Sequence, residues 1–235
     1  MKNSIECKMC HAENPVYGYI CTECKAYLRE RKFNIDLWHT VGLLIENPSE
    51  AYKLIIQSEH KNFIFFITAI VSFKLLIDSM FVSLAVLKPE PEFGNFFRNF
   101  FIVLGEVVVI LYTVSVVFKL ITRQFGISTR IKDNYSLLIY SLFPYIFGTF
   151  FLLVIELTIF GGNIFSRNPS PFILKETLAY VLTGFEFLLV LWSIYLSFMA
   201  FFSQTKNFAY SFIFTVFFNF ILYLIIFTNS YYLFN

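Results

Sequence analysis

Cys7-Lys8-Met9-Cys10 and Cys21-Thr22-Glu23-Cys24 form two C-x-x-C pairs separated by ten residues, and they hold all four cysteines of the chain. A C-x-x-C turn aims two thiolates at one point, and two such knuckles complete a tetrahedron around Zn²⁺. With all four positions filled by protein, the chemistry expected is structural and not catalytic. Roughly 30 residues cannot bury a core of their own, so a metal would supply the folding energy. Asn14-Pro15 and Tyr17-Gly18 are expected as turn residues between the knuckles. Cys7 to His11 also reads C-x-x-C-H, the attachment motif of c-type haem, but that reading leaves Cys21 and Cys24 idle. A thiol redox pair needs a βαβ context that the sequence lacks. His11, next to Cys10, reads as a solvated turn residue before it reads as a ligand.

A second set of reactive side chains lies inside long apolar runs: Lys74, Asp78, Glu106, Glu156 and Glu186. Ionisable groups in a bilayer are costly and normally face a helix bundle's interior or a wet cavity. Lys74 and Asp78, four apart, share a helix face and can pair. Lys74, Asp78, Glu106 and Glu186 are expected to form an intramembrane polar cluster. It could bind a cation or pass protons, or it could simply bond one helix to another. The three His (His11, His39, His60) all precede the apolar runs, and no hydrolase or phosphate-cradling motif occurs. The expectation is a protein that is not an enzyme.

The elements that must position these groups follow from composition. The chain is 57% hydrophobic and 14% charged with 33 Phe, a balance that fits a polytopic membrane protein and not a soluble domain. A net charge of +2, spread along the chain, gives no footprint for nucleic acid. Crossing about 30 Å of hydrocarbon takes roughly 20 helical residues. Five runs qualify, at about 62–87, 100–122, 135–160, 177–203 and 208–228, separated by breakers that include Pro89, Pro91, Gly126, Gly161-Gly162, Pro169 and Pro171. Pro144 should kink the third span, and Gly148 and Gly184 would permit close helix approach. With the N-terminus inside, thirteen Lys and Arg flank the spans on the inner side against four outside. That orients the N-terminus to the cytoplasm and the C-terminus to the exterior, and it places the cysteines on the reducing side. The basic loop from Lys119 to Lys132 contributes strongly to this bias.

Between the cysteines and the first span, residues 34–61 read as two short amphipathic helices. Leu37, Trp38, Val41, Leu44 and Ile45 share one face. Asn47 caps the second helix, with Pro48 at its first position and Glu50 placed for a capping box; Ala51, Leu54 and Ile55 continue the face. These helices are expected to lie on the membrane surface, with Trp38 at headgroup level.

Residues 7–28 resemble the minimal zinc-ribbon module found at the N-terminus of many prokaryotic membrane proteins, with His11 and Lys25 where those modules usually carry Gly. From about Leu37 onward the chain resembles the Yip domain (Ypt/Rab-interacting) membrane proteins. The resemblance rests on Asn47-Pro48, Phe125-Gly126, Tyr140-Ser141-Leu142-Phe143-Pro144 and Leu191-Trp192-Ser193-Ile194-Tyr195-Leu196, with Lys206 and Ala209 after a short fourth loop. It implies a five-helix membrane domain with a cytoplasmic N-terminus. In the eukaryotic relatives it implies binding of prenylated Rab GTPases; here a ribbon replaces their long polar N-terminal region, which suggests a prokaryotic member in the inner membrane. The expected architecture is an all-α polytopic bundle of five transmembrane helices (62–235) behind a zinc ribbon (1–33) and connector (34–61). The expected function is a scaffold or adaptor that docks a cytoplasmic protein or organises the bilayer, with oligomerisation compatible with it. The alternative is a small ion, proton or lipid transporter using the acidic cluster.

Overall fold

The computed structural model describes residues 4–86 and 95–234; Pro89 and Pro91, expected to end the first span, lie outside them. Strands β1 (Ser4–Glu6) and β2 (Glu13–Pro15) pair antiparallel with Ile5 opposite Asn14. Helices α1 (Leu37–Glu46) and α2 (Pro48–Gln57) follow, then α3 (Ile64–Val86) and α4 (Phe96–Gln124). The third apolar run is divided into α5 (Ile131–Ser141), α6 (Pro144–Phe147), a π turn (Gly148–Leu152), α7 (Leu153–Phe160) and a 3₁₀ turn (Gly161–Phe165). A short α8 (Pro171–Leu174) leads to α9 (Glu176–Thr205) and α10 (Phe208–Tyr232). Among the described residues, five helical stretches are long and apolar enough to cross a membrane. The chain is therefore an all-α, multi-pass integral membrane protein with a small cysteine cluster at its N-terminus. The most apolar stretch of α4 is only 28% buried, which is the pattern of a helix whose side chains are solvated by lipid.

The third span is not the continuous helix expected over 135–160. Pro144 has no N–H to donate, and its ring crowds the carbonyl four residues back, at Tyr140; Phe143 itself stays in right-handed geometry at φ −55° and ψ −34°. The helix accordingly stops at Ser141 and restarts at Pro144. Gly161, at φ 58°, ends α7.

The chain divides into two compact units. The first comprises Met1–Phe65, Leu111–Ser141 and Tyr195–Val216. In it, Phe118 packs on Phe201 and Phe214 with ring centroids 4.9 and 4.8 Å apart. The buried amide of Asn134 donates to the Ser115 carbonyl at 3.3 Å, and its oxygen accepts from Gln204 at 3.3 Å. Asn47 caps α2 by accepting from the Glu50 N–H, and Asp36 caps α1 through the His39 N–H. At the end of α4 the Gly126 N–H bonds the Arg123 carbonyl and the Ile127 N–H bonds that of Thr122. With Gly126 at φ 73° and Ile127 buried, this is a Schellman stop, and it gives Phe125-Gly126 a local physical reason.

The connector departs from expectation in what covers it. Ala51, Tyr52, Ile55 and Ile56 of α2 are buried, α2 packs on α1 and α5, and the Tyr52 hydroxyl donates to the Leu196 carbonyl at 2.9 Å. The apolar face of α2 is therefore covered by protein. Trp38 and Ile45 of α1 remain exposed, so the apolar surface available to lipid is on α1.

The second unit comprises Phe66–Ile110, Leu142–Ile194 and Phe217–Asn235. Its core gathers Ile77, Leu152, Leu153, Phe160, Ile164 and Leu182, with Phe81 stacked on Phe165 at 5.7 Å.

Candidate metal centre and its supports

Both knuckles are built on one local plan. In the first, the Cys7 N–H bonds the carbonyl five residues on, at Ala12, and in the second the Cys21 N–H bonds Ala26 in the same way, at 3.0 and 2.8 Å. Each loop is closed by antiparallel pairing, Glu6 with Glu13 and Ile20 with Tyr27. The residue after each C-x-x-C turns the chain back in left-handed geometry: His11 at φ 59° and Lys25 at φ 61°. Left-handed geometry favours Gly, and here the side chains brace the turn. His11 Nδ1 lies 2.7 Å from Glu6 Oε1, and Lys25 Nζ donates to the Thr22 carbonyl at 2.9 Å.

The result is one cluster of four thiols. The Sγ atoms of Cys7, Cys10, Cys21 and Cys24 all lie within 4.8 Å of one another, with Cys7 to Cys24 at 3.5 Å and Cys10 to Cys21 at 3.6 Å. A regular tetrahedron with metal–sulfur bonds of about 2.3 Å has sulfur–sulfur edges of about 3.8 Å. The donor set therefore fits a tetrahedral thiophilic ion. The N–H groups of Cys10 and Met9 lower the Cys7 pKa. Desolvation opposes ionisation of Cys21, but the N–H groups of Cys24 and Glu23 and the Asn14 amide bring it down to about 6. The Ala26 N–H pulls Cys24 down, yet Cys10, desolvation, Cys7 and Cys21 together push it up to about 12. Four adjacent sulfurs without a cation resist full ionisation, and a dication would relieve that.

Asn14 was expected in a turn. It lies instead in β2, 2% exposed. Its amide donates to Cys21 Sγ at 3.4 Å, and its oxygen accepts from the Thr22 N–H at 2.8 Å. It ties the hairpin to the second knuckle and orients one ligand, the role that outer hydrogen bonds play at metal sites. Tyr17 and Gly18 do make a turn, with the Gly18 N–H on the Pro15 carbonyl.

The cysteine module is fastened to the rest of its unit by groups that sequence reasoning missed. The Arg130 guanidinium lies 4.4 Å over the Tyr17 ring, and the Tyr17 hydroxyl is 3.0 Å from Ser128 Oγ. Arg130 also donates to the Ile56 carbonyl and grips Asp133 with both Nε and an Nη, at 2.6 and 3.1 Å. Asp133 is fully buried and pairs with Lys61 at 3.0 Å. Lys61 in turn caps α2, donating to the carbonyls of Ile55 and Ser58, and burial pulls its pKa down to about 8. On the other side, Arg29 donates to the carbonyls of Tyr17, Gly18 and Gln57. Arg130 and Asp133 are three apart, so that pair was readable as a helical contact; the Tyr17 contact had no local signal.

In the second unit Lys74 is fully buried. Its Nζ lies 2.6 Å from Asp78 Oδ1 and 2.7 Å from Glu186 Oε1. Gly148 makes room for it: a Cβ there would meet Lys74 Cε at 2.8 Å and Leu189 Cδ1 at 3.2 Å, whereas nothing lies within 4 Å of such a Cβ at Gly184. Glu106 is bonded elsewhere, accepting from Asn229 at 2.6 Å. Glu156 is buried, and its Oε2 has no hydrogen-bond partner among the described residues. Comparison with known protein families, curated proteins and solved structures finds no match to the chain.

Proposed function

We propose that the chain is a non-enzymatic membrane scaffold. A zinc ion held by Cys7, Cys10, Cys21 and Cys24 supplies the folding energy of its ribbon, and the ribbon docks a cytoplasmic protein partner. One observation carries this reading: the ribbon is fastened, by Tyr17 on Arg130 and by the ion pairs of Asp133 with Arg130 and Lys61, to the start of α5 and to the segment just before the first span. A tethered knob without such contacts would transmit nothing to the bilayer, whereas this one places a partner at a fixed position. Four thiolates with no open coordination position suit structural zinc. The excess of inner-side Lys and Arg supports a cytoplasmic N-terminus and an external C-terminus. The quoted motifs support a Yip-like, prokaryotic scaffold. The test is crosslinking in native membranes followed by identification of captured proteins, with wild type beside a Cys10→Ser/Cys24→Ser variant. Loss of the partner set with normal membrane insertion is the expected result. An unchanged partner set in a metal-free variant overturns the proposal.

A second reading, proton or cation transport, is favoured by the Glu156 oxygen, unpartnered among the described residues, and by the triad of buried Lys74 with partly buried Asp78 and Glu186. It requires proton or cation flux in proteoliposomes that Glu186→Gln abolishes; absence of flux removes it.

A further inference from the structure

A cleft of about 830 Å³ opens in the first unit where the ribbon, α1 and α2 face the turn between α9 and α10. Arg29, Lys32, Lys53, Lys206 and His39 line it, against a single carboxylate, Glu50. We propose that this cleft binds a phosphate-bearing anion. The inference deepens the scaffold reading by naming a ligand, and it rests on that reading in needing the folded ribbon as one wall.

Charge balance is the first argument. Arg31, Lys61, Lys74 and Arg130 each find a carboxylate. Lys32, Lys53 and Lys206 form no ion pair among the described residues. Arg29 is held by backbone carbonyls, which fix its guanidinium without cancelling its charge. Glu50 is engaged by Asn47, whose amide lies 3.4 Å from Glu50 Oε2. Like charges gathered in a concave, partly desolvated surface focus a positive field and attract an anion.

The second argument is the backbone at Lys206. It sits at φ 50°, directly after α9, and its N–H closes the helix on the Phe202 carbonyl. Glycine would occupy this position with less strain. The lysine there places its ammonium 5.6 Å from the Phe202 ring and in the cleft wall. Desolvation first, and Lys53 second, lower its pKa, so Lys53 and Lys206 repel each other until an anion lies between them. The first turn of α2, with Asn47 and Ser49, belongs to the same wall, and a helix start adds a favourable field for negative charge. Lysines acting as point charges suit phosphate oxygens, which present several acceptors and more than one charge. Two sources share this chemistry: the headgroup of an anionic phospholipid and a soluble phosphate compound.

The test uses the full chain with its metal. Pyrophosphate is titrated calorimetrically into protein in nanodiscs of phosphatidylcholine. In parallel, protein reconstituted with phosphatidylcholine and phosphatidic acid is washed in neutral detergent, and retained lipid is measured by ³¹P NMR. Each assay is run on wild type, on Lys53→Gln/Lys206→Gly, which relaxes the left-handed residue while removing two cations, and on Lys119→Gln/Arg123→Gln as a charge-matched control. Saturable pyrophosphate binding that falls at least about 10-fold, or about 1.4 kcal/mol, in the cleft variant alone supports a soluble ligand. Phosphatidic acid retention lost in the cleft variant alone supports a headgroup. Binding in neither assay, or equal losses in both variants, overturns the proposal. Failure here with an intact zinc content and partner set leaves the scaffold reading standing, so the two can fail separately.

Discussion

Two side chains in the cysteine module, His11 and Lys25, occupy backbone that favours glycine, and their substitution isolates what that conformation costs. A non-glycine residue in left-handed geometry loses roughly 1–2 kcal/mol, and a new glycine gives back about 0.5–1 kcal/mol through the unfolded chain. His11→Gly and Lys25→Gly should therefore each stabilise the knob by up to about 1 kcal/mol, seen as zinc retained against higher chelator concentration; weaker retention would mean that the Glu6 and Thr22 contacts outweigh the strain. Lys61 gives a second, pH-dependent handle. Its folded pKa of about 8 lies below the ordinary lysine value of 10.5, so between those values the unfolded chain binds more protons than the native one. Stability from this group rises across that window, and the full penalty is felt below about pH 8. Wild type should gain on Lys61→Met in thermal midpoint as pH rises from about 8 to 10; parallel curves would count against it. At this scale the paired C-x-x-C spacing was sufficient to name the four sulfurs. The spacing carried nothing about Asn14, because its contact to Cys21 depends on hairpin register, and nothing about Tyr17 on Arg130, because those residues lie far apart in the chain.

Among the helices, periodicity told which residues share a face but not what covers that face. For α2 the cap at Asn47-Pro48 was legible because it is local chemistry, whereas burial of its apolar side under α1 and α5 was not. The same holds for Pro144: the loss of an N–H is written in the sequence, but the length of the interruption, with a π turn running from Gly148 to Leu152, depends on tertiary packing. Gly148 admits the Lys74 side chain, and that lysine joins α3 to α9 through Glu186. Removing one partner of a buried ion group costs about 3–5 kcal/mol, while replacing the whole group with apolar residues is often neutral or stabilising. Lys74→Met should thus lower the thermal midpoint sharply in detergent, and Lys74→Met/Asp78→Leu/Glu186→Leu should recover it. A triple variant as weak as the single one would argue that the triad has a role that hydrophobic packing cannot replace.

For the molecule as a whole, the proposed division of labour between zinc and lipid makes a further outcome testable. The spanning helices satisfy their backbone internally and need no ion, whereas the knob has too few residues to hold itself together. Stripping zinc with a high-affinity chelator should expose the segment around Arg29, Arg31 and Lys32 to trypsin while leaving the far-ultraviolet helical signal within about a tenth of its starting value. Collapse of that signal together with the metal would refute the separation. Five spans were legible as long apolar runs, but the third, expected over 135–160, lies at 144–165 because the helix breaks before Pro144. The fastening of the knob to the chain was not, since it is carried by a few polar residues with no pattern of their own.

The two sulfur loops are so alike that they amount to a single hexapeptide cassette used twice, running from Cys7 to Ala12 and from Cys21 to Ala26. A chain carrying two copies of either cassette should still capture its ion. A difference between the two homogeneous versions would then point to Asn14, which meets the earlier copy at the Ala12 carbonyl but reaches a sulfur only in the later one. The asymmetry of the knob would accordingly reside in its neighbour, and the loops themselves would be interchangeable parts.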